Sequence, residues 1–294
     1  MRAKLIAALC CGTVFAVSAG SVRAADVPDF SGFWGRNAFD LERMQSGMTP
    51  IANIQTTADG AGDIQRPIGD SHNPLLKPEA AKIVEERTQK AIKGKIFPDP
   101  SARCASHPPP FIFGMQLGVE IFQRKDEIVF LYNQDSQTRH VRLNAKHPAH
   151  LTPSWKGDSV AHYEGDTLVI DTAGIKTSPL AVMDRYGTPF GEGMHVVERY
   201  RLIDATDAKE AQTRHEKRDG RVGGGPGAMP IDEDFGKGLQ LQLTIENPAY
   251  FTAPLSAQIT YRRAKAIWGE QVCAESAAEQ TGTLAIPVAG KPDF

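Results

Sequence analysis

The chain has 294 residues, with 33 Lys plus Arg against 35 Asp plus Glu, and its formal charge of -2 offers nucleic acid no bulk electrostatic attraction. Hydrophobic residues at 41% and charged residues at 23% exclude an intrinsically disordered chain. The 27 Gly and 20 Pro argue against a helical bundle and for short strands joined by turns.

Residues 1–24, MRAKLIAALCCGTVFAVSAGSVRA, have the form of an export leader. Arg2 and Lys4 make a basic start, Leu5 to Ala19 a mostly apolar stretch, and Val22-Arg23-Ala24 a small-residue cleavage site. Cleavage is expected after Ala24, with Ala25 the next choice. The apolar stretch is short for a membrane span, and Cys10 falls too early for a lipoprotein anchor. Removing the leader takes away Cys10, Cys11 and three basic residues. About 270 residues remain, with 30 basic against 35 acidic side chains and a charge near -5. Only Cys104 and Cys273 are left, and in an oxidising compartment such a pair is expected to form a disulfide. The expected location is periplasmic or secreted, with no transmembrane segment in the processed chain.

Pro28 to Trp34 is an apolar and aromatic opening able to tie the terminus to the main body. Residues 45–74 carry little regular signal. A helix is predicted over about 78–93: Pro78 suits its first turn, Glu79 lies beside it, and Ile83, Val84 and Ala91 fall on one side. Lys90, Lys93 and Lys95 gather near its end, where Gly94 can stop it. After a proline-rich connection the pattern changes to strands. Leu117–Phe122 and Glu127–Tyr132 flank a turn at Gln123 to Asp126, and Thr138–Leu143 follows. Ser159–Tyr163 passes through Glu164-Gly165-Asp166 into Thr167–Asp171, the strongest hairpin signal, because Gly165 can take the positive φ of a tight reversal. Met194–Leu202, Leu239–Glu246 and about Ala257–Arg263 are further strands. Between the first and second of these strands, residues 214–238 are rich in charge and glycine and are expected to form a flexible hairpin insertion. The tail holds Trp268 and Cys273.

Six to nine strands with short connections predict one mainly β domain over residues 25–294. An antiparallel barrel, lipocalin-like or related, is preferred, since closure protects strand edges and creates a mouth; a two-sheet sandwich is the alternative.

The chemically dense stretch runs from His147 to Arg199. His147 and His150 lie three positions apart and make a weak metal-ligand pair with no evident third ligand. Asp158 and His162 follow. If Met194 onward is a strand, His195, Val197 and Arg199 face one way and Val196, Glu198 and Tyr200 the other. Glu192, in the preceding loop, is expected to fold back toward His195, and Asp184 to reach the same mouth. That trio would supply a proton-exchanging imidazole and a carboxylate that fixes its tautomer. Arg199, if it points into the barrel beside His195, would bind a carboxylate or enolate. Trp155, Tyr163, Tyr186 and Phe190 flank the polar groups, and Tyr250 and Phe251 lie further along; such residues line cavities or seal barrel ends. There is no Gly-x-Ser-x-Gly, no His-Glu-x-x-His and no nicotinamide, flavin or phosphate-loop fingerprint, so no cofactor is expected.

Several stretches resemble a large, little-characterised family of exported bacterial proteins. They are Asp-Phe-Ser-Gly-Phe-Trp at 29–34, Asn-Pro-Leu-Leu-Lys-Pro-Glu at 73–79 and Pro-Ser-Trp-Lys-Gly-Asp-Ser at 153–159. To these are added Tyr-Glu-Gly-Asp-Thr-Leu-Val-Ile-Asp-Thr at 163–172, Met-His-Val-Val-Glu-Arg-Tyr at 194–200 and Glu-Asn-Pro-Ala-Tyr-Phe-Thr-Ala-Pro at 246–254. The resemblance implies recurrent polar positions at Asp158, Glu164, Asp166, Asp171, Asp184, Glu192, His195, Glu198 and Arg199, and no assigned reaction. Family members commonly carry Trp at the place of Tyr163, Ser at that of Gly191 and Glu at that of Asn133, and usually lack the glycine run at 223–227. These departures imply a divergent member.

The expected function is binding of a small organic molecule, aromatic or oxygenated, in the barrel mouth. The alternatives are a cofactor-independent lyase or isomerase with His195 as acid/base, and a structural or protein-interaction module.

Overall fold

A computed structural model describes residues 27–44, 46–95, 99–101, 104–115, 117–222, 229–265 and Cys273. The expected leader, the glycine run and Trp268 lie outside the described residues. Ten strands form one sheet: β1 (Gly32–Gly35), β2 (Glu42–Arg43), β3 (Gly118–Gln123), β4 (Glu127–Tyr132), β5 (Gln137–Leu143), β6 (Asp158–Glu164), β7 (Thr167–Ala173), β8 (His195–Asp204), β9 (Lys237–Glu246) and β10 (Leu255–Arg263). Nine of them, β1 and β3 to β10, close into a barrel, because β1 pairs with β3 on one side and with β10 on the other. The short β2 adds to β10 through Glu42 opposite Gln258.

Closure settles barrel against sandwich and corrects the expectation of an antiparallel, lipocalin-like ladder in one respect. β5 and β6 run parallel, with Arg142 opposite Val160, so the barrel is mixed. Residues 144–157 make the crossover that a parallel pair requires. The central hairpin turns at Gly165 with φ 62, and Ala161 faces Ile170 across it.

The barrel is filled. Its inward residues follow the two-residue period of each strand. They include Ile128, Phe130 and Tyr132 on β4, Leu168 and Ile170 on β7, Val196 and Tyr200 on β8, and Leu239 to Ile245 at alternate positions on β9, all buried. At one end Pro28 to Phe30 form a plug: Gln123 Nε2 donates to the Pro28 carbonyl and to Tyr163 Oη, and its Oε1 accepts the Phe30 N–H. The opposite end, where β7 stops and β8 begins, is covered by the long loops and by two helices, α1 (Pro78–Ile92) and α2 (Phe111–Met115).

α1 buries Ala80, Val84 and Thr88, one residue per turn; of the side expected from Ile83, Val84 and Ala91, Val84 is buried and the other two only partly so. Its partner surface is a loop, and Thr88 Oγ1 donates to the Gly69 carbonyl. A third helix, α3 (Ala205–Asp219), takes up the start of the segment expected to be a flexible hairpin insertion. Residues 214–219 are helical because Asp204 and Gly220 bound a run of good helix formers, and because α3 has a wall to lie on. Gln212 Nε2 donates to the carbonyls of Gly35 and Thr260, fixing α3 across the outside of the barrel. Further along the expected insertion, Ile231 bridges to Ala264.

Candidate functional site

The polar residues singled out in the sequence fall into three places. The first is inside the barrel. On β8 the even positions face inward, so Glu198 is 0% exposed while His195 and Arg199 stand on the outer wall. The expectation that Arg199 enters the barrel beside His195 is therefore corrected: the two do share a face, but the outer one, and Arg199 pairs with Glu164 there. The inward face holds a bidentate ion pair. Arg139 Nη1 donates to Glu198 Oε2 at 2.8 Å and Nη2 to Oε1 at 2.6 Å. Thr172 and Ser159 accept from the same guanidinium, and Tyr200 Oη donates to Glu198. Burial works against the charge on Arg139, but the Glu198 carboxylate outweighs it and raises its pKa. Every polar atom of this pair faces protein, which makes it a structural core rather than a reaction centre. Arg139 was not singled out in the sequence. The signal was there: it shares strand parity with Val141, the apolar and therefore inward side of β5.

The second place is the outer wall. His195 Nε2 donates to Asp171 Oδ1 at 2.7 Å, and His195 Nδ1 lies 3.9 Å from Glu246. His147 Nδ1 donates to Asp158 Oδ1 at 2.6 Å and its Nε2 to Asp171 Oδ1 at 3.1 Å. An imidazole that satisfies both carboxylates carries two N–H groups, so His147 is the cation. Burial opposes that charge, but the hydrogen bonds it donates to Asp158 and Asp171 win and raise its pKa. Arg142 Nη2 also donates to both carboxylate oxygens of Asp158. The weak alternative of a His147 and His150 metal pair gives way, for His147, to two carboxylate partners, and no group of three metal-ligating side chains occurs among the described residues. His162 pairs with Glu164 on the outer face, and Trp155 stacks under Lys176 Nζ at 5.8 Å. Glu192 is exposed, and the carboxylates within reach of His195 are Asp171 and Glu246.

The third place is a cleft at the loop-covered end of the barrel. It has a volume of about 650 Å³ and lies between α1, residues 65–69 and the loop after β7. That loop is a miniature hairpin in which Val182 bridges Pro189 and Met183 N–H donates to the Thr188 carbonyl. Asp184 starts its turn as an Asx cap, with Oδ1 accepting the N–H groups of Tyr186 and Thr188 at 3.0 Å each. Gly187 has φ 77, and a Cβ there would lie 2.0 Å from Arg87 Nη1, so its bare backbone lets the α1 arginine lie across the turn. Tyr186 is buried and donates its hydroxyl to Asp40 Oδ2 at 2.8 Å.

Asp184 and Asp40 are neighbouring acids joined through Tyr186. Burial pushes the Asp184 carboxyl up to about 6, against the hydrogen bonds from Thr188, and the nearby Asp40 adds to the shift. Asp40 is raised too, by burial, with Arg185 opposing. The cleft lining presents Arg66, Arg87, Lys95 and Arg185 against the carboxylates Asp99 and Asp184, with Ile68, Ala91, Val182 and Tyr186 as apolar surface. Arg66 is partly offset by Asp63 at 2.8 Å, and Asp99 and Asp184 both attract Arg87.

Of the expected site residues, Asp184 and Tyr186 line this cleft. Phe190 is buried in the core beside them, while Tyr163 is at the plugged end. Cys104 and Cys273 are bonded, with their Cα atoms 5.5 Å apart. Lys156, in the Pro-Ser-Trp-Lys-Gly-Asp-Ser motif, donates to the His107 carbonyl and to Gln137 Oε1. Burial and then Arg139 bring its pKa down to about 7. Comparison with protein-family models, curated proteins and solved structures finds no match.

Proposed function

We propose that the chain binds a small aromatic or otherwise part-apolar carboxylate in the cleft between α1 and the Asp184 loop. One observation carries this reading: a cleft of about 650 Å³ has four basic side chains around an apolar floor, with Asp184 recessed in it. Such a volume suits a small organic ligand, and a few charged groups around apolar surface fix its orientation. The barrel supports the cleft rather than enclosing the ligand, since its own interior is packed. The leader-like sequence at 1–24 and the bonded cysteines support a periplasmic or secreted setting for this role.

Asp184 makes the binding depend on pH in a defined direction. Above about pH 6 its carboxylate repels an anionic ligand, and below it the neutral acid donates a hydrogen bond to the ligand instead. Titration calorimetry with benzoate and its hydroxylated analogues is the test, run from pH 5 to pH 8. Affinity is expected to rise as pH falls through about 6. Arg87→Gln is expected to weaken binding about ten-fold, and Asp184→Asn to abolish the pH dependence. Unchanged affinity in Arg87→Gln would place the ligand elsewhere.

The second reading, a cofactor-independent lyase or isomerase, is favoured by the same acid. A carboxyl with a pKa of about 6, next to a second buried acid, can take and return a proton near neutral pH. In this version Asp184, not His195, is the acid/base. Conversion of a bound compound that stops in Asp184→Asn and persists in His195→Ala supports it, and the reverse pattern restores His195.

A further inference from the structure

A second concave site lies on the outer wall of the barrel, and it shares no lining residue with the Asp184 cleft. It is a groove of about 670 Å³ between α3, β2 and the outer faces of β8, β9 and β10. We propose that this groove binds a phosphorylated or sulfated polyol.

Strand register builds it. Arg201 on β8 lies opposite Gln240 on β9, Gln242 on β9 opposite Gln258 on β10, and Gln258 opposite Glu42 on β2. All of these outward side chains therefore form one polar floor. Arg201 donates Nε and Nη2 to Gln240 Oε1 at 3.0 and 2.7 Å. A neutral amide orients the guanidinium without cancelling its charge. Arg43 lies at the rim, and among the described residues no carboxylate pairs with either Arg43 or Arg201. From the other side α3 brings Arg214 and Arg218. Of these two, Arg214 is the looser charge, 3.8 Å from Glu210, whereas Arg218 is paired with Asp219 through Nε and Nη2.

The acidic groups near the groove are turned to other work. Glu42 accepts the Thr260 N–H, the Thr260 hydroxyl and the Gln258 amide. Asp219 is held by His215 at 2.8 Å as well as by Arg218. His215 in turn reaches the Phe39 carbonyl, so it braces α3 against the barrel rather than facing a ligand.

Two kinds of group remain for a ligand. Guanidinium forks recognise the oxygens of phosphate and sulfate, in pairs and with fixed geometry. Glutamine amides, each both donor and acceptor, match the hydroxyls of a polyol. A groove with arginines on two sides and a glutamine floor fits a ligand with both, and it gives an apolar carboxylate little to rest on. The site is thus chemically distinct from the Asp184 cleft, whose lining mixes cations with aliphatic surface.

The test is titration calorimetry of the full, disulfide-bonded protein with myo-inositol hexakisphosphate, set beside unphosphorylated myo-inositol and sodium sulfate. Saturable binding by the hexakisphosphate is expected, weakened steeply by salt, with none by myo-inositol and about ten-fold or weaker binding by sulfate. The Arg43→Gln/Arg201→Gln double variant should lose about ten-fold or more in affinity, and Gln242→Glu, which sets a charge in the floor, should do the same. Arg87→Gln, in the other cleft, should bind the hexakisphosphate as the unaltered chain does. Absence of saturable binding, equal affinity in both groove variants, or sulfate matching the hexakisphosphate would overturn the proposal.

Discussion

Two polar networks sit back to back on the same strands. Arg139, Ser159, Thr172 and Glu198 point into the barrel; Arg142, Asp158, Asp171 and His195 point out, from the same β5, β6, β7 and β8. The inner set is sealed, bidentate and fully partnered. The outer set is half exposed and shares its acceptors: Asp171 Oδ1 alone serves His147 and His195. A strand's two-residue period thus turns one motif into two unlike environments. Glu198 and Arg199 are adjacent in the Met-His-Val-Val-Glu-Arg-Tyr segment, yet one is a core ion and the other a surface ion.

The contrast has consequences that can be broken experimentally. The largest effect belongs to the inner pair. Arg139→Leu leaves Glu198 buried without its partner, and a loss of about 3–5 kcal/mol is expected from urea denaturation at pH 7. Adding Glu198→Leu should recover part of that loss, because the uncompensated charge is then gone. If Arg139→Leu costs no more than a surface substitution, the inner network is not sealed.

Next is Asp184. Its folded pKa of about 6 lies above the ordinary 3.8, so the fold prefers the protonated acid. Whatever stability this lends is fully present below about pH 4 and is lost as pH rises through about 6. Asp184→Asn keeps an acceptor for the Tyr186 and Thr188 N–H groups while removing the ionisation. It should therefore be more stable than the unaltered chain at pH 8, by on the order of 2 kcal/mol, and nearly equal to it at pH 4. Thermal melts across that range measure it, and parallel curves for the two proteins would contradict a raised Asp184.

The smallest effect is expected on the outer wall. Asp171→Asn removes an acceptor from both histidines, yet exposed pairs contribute little, so the stability change should stay below about 1 kcal/mol. NMR titration reads the electrostatics directly. His147 should titrate above the ordinary 6.5, and its titration should move down in Asp171→Asn. With a raised folded pKa, the stability it adds is present below about pH 6.5 and fades as pH climbs through the folded value. A His147 that titrates at its ordinary value would show that the Asp158 and Asp171 contacts do not form in solution.

Much of the β architecture was legible because its signals are local. Alternation marked the strands, Gly165 marked the tight turn, and Cys104 and Cys273 marked the disulfide. Parity also placed His195 with Arg199 and apart from Glu198. α3 was legible in principle, from Asp204, Gly220 and the helix formers between them, but its charge and the glycines beyond it suggested a loose insertion. The buried side of α1 was harder. Of its apolar residues Ala80 and Val84 are buried while Ile92 is exposed, a choice made by the Gly69 loop and Tyr186, which are distant in sequence.

By itself, then, the sequence determined which residues share a strand face and where the chain reverses. Both depend on backbone geometry over a few residues. It did not determine which face is inside, because on β8 each face carries a valine and charged or ionisable neighbours, and the choice is made by strands far along the chain. Only the tertiary structure decided that β1 closes onto β10, that β5 and β6 run parallel, and that Glu198 meets Arg139. It also decided the cleft: Arg66, Arg87 and Asp184 come from three separate segments, and burial acts on Arg87 and Asp184 only once those segments are packed together.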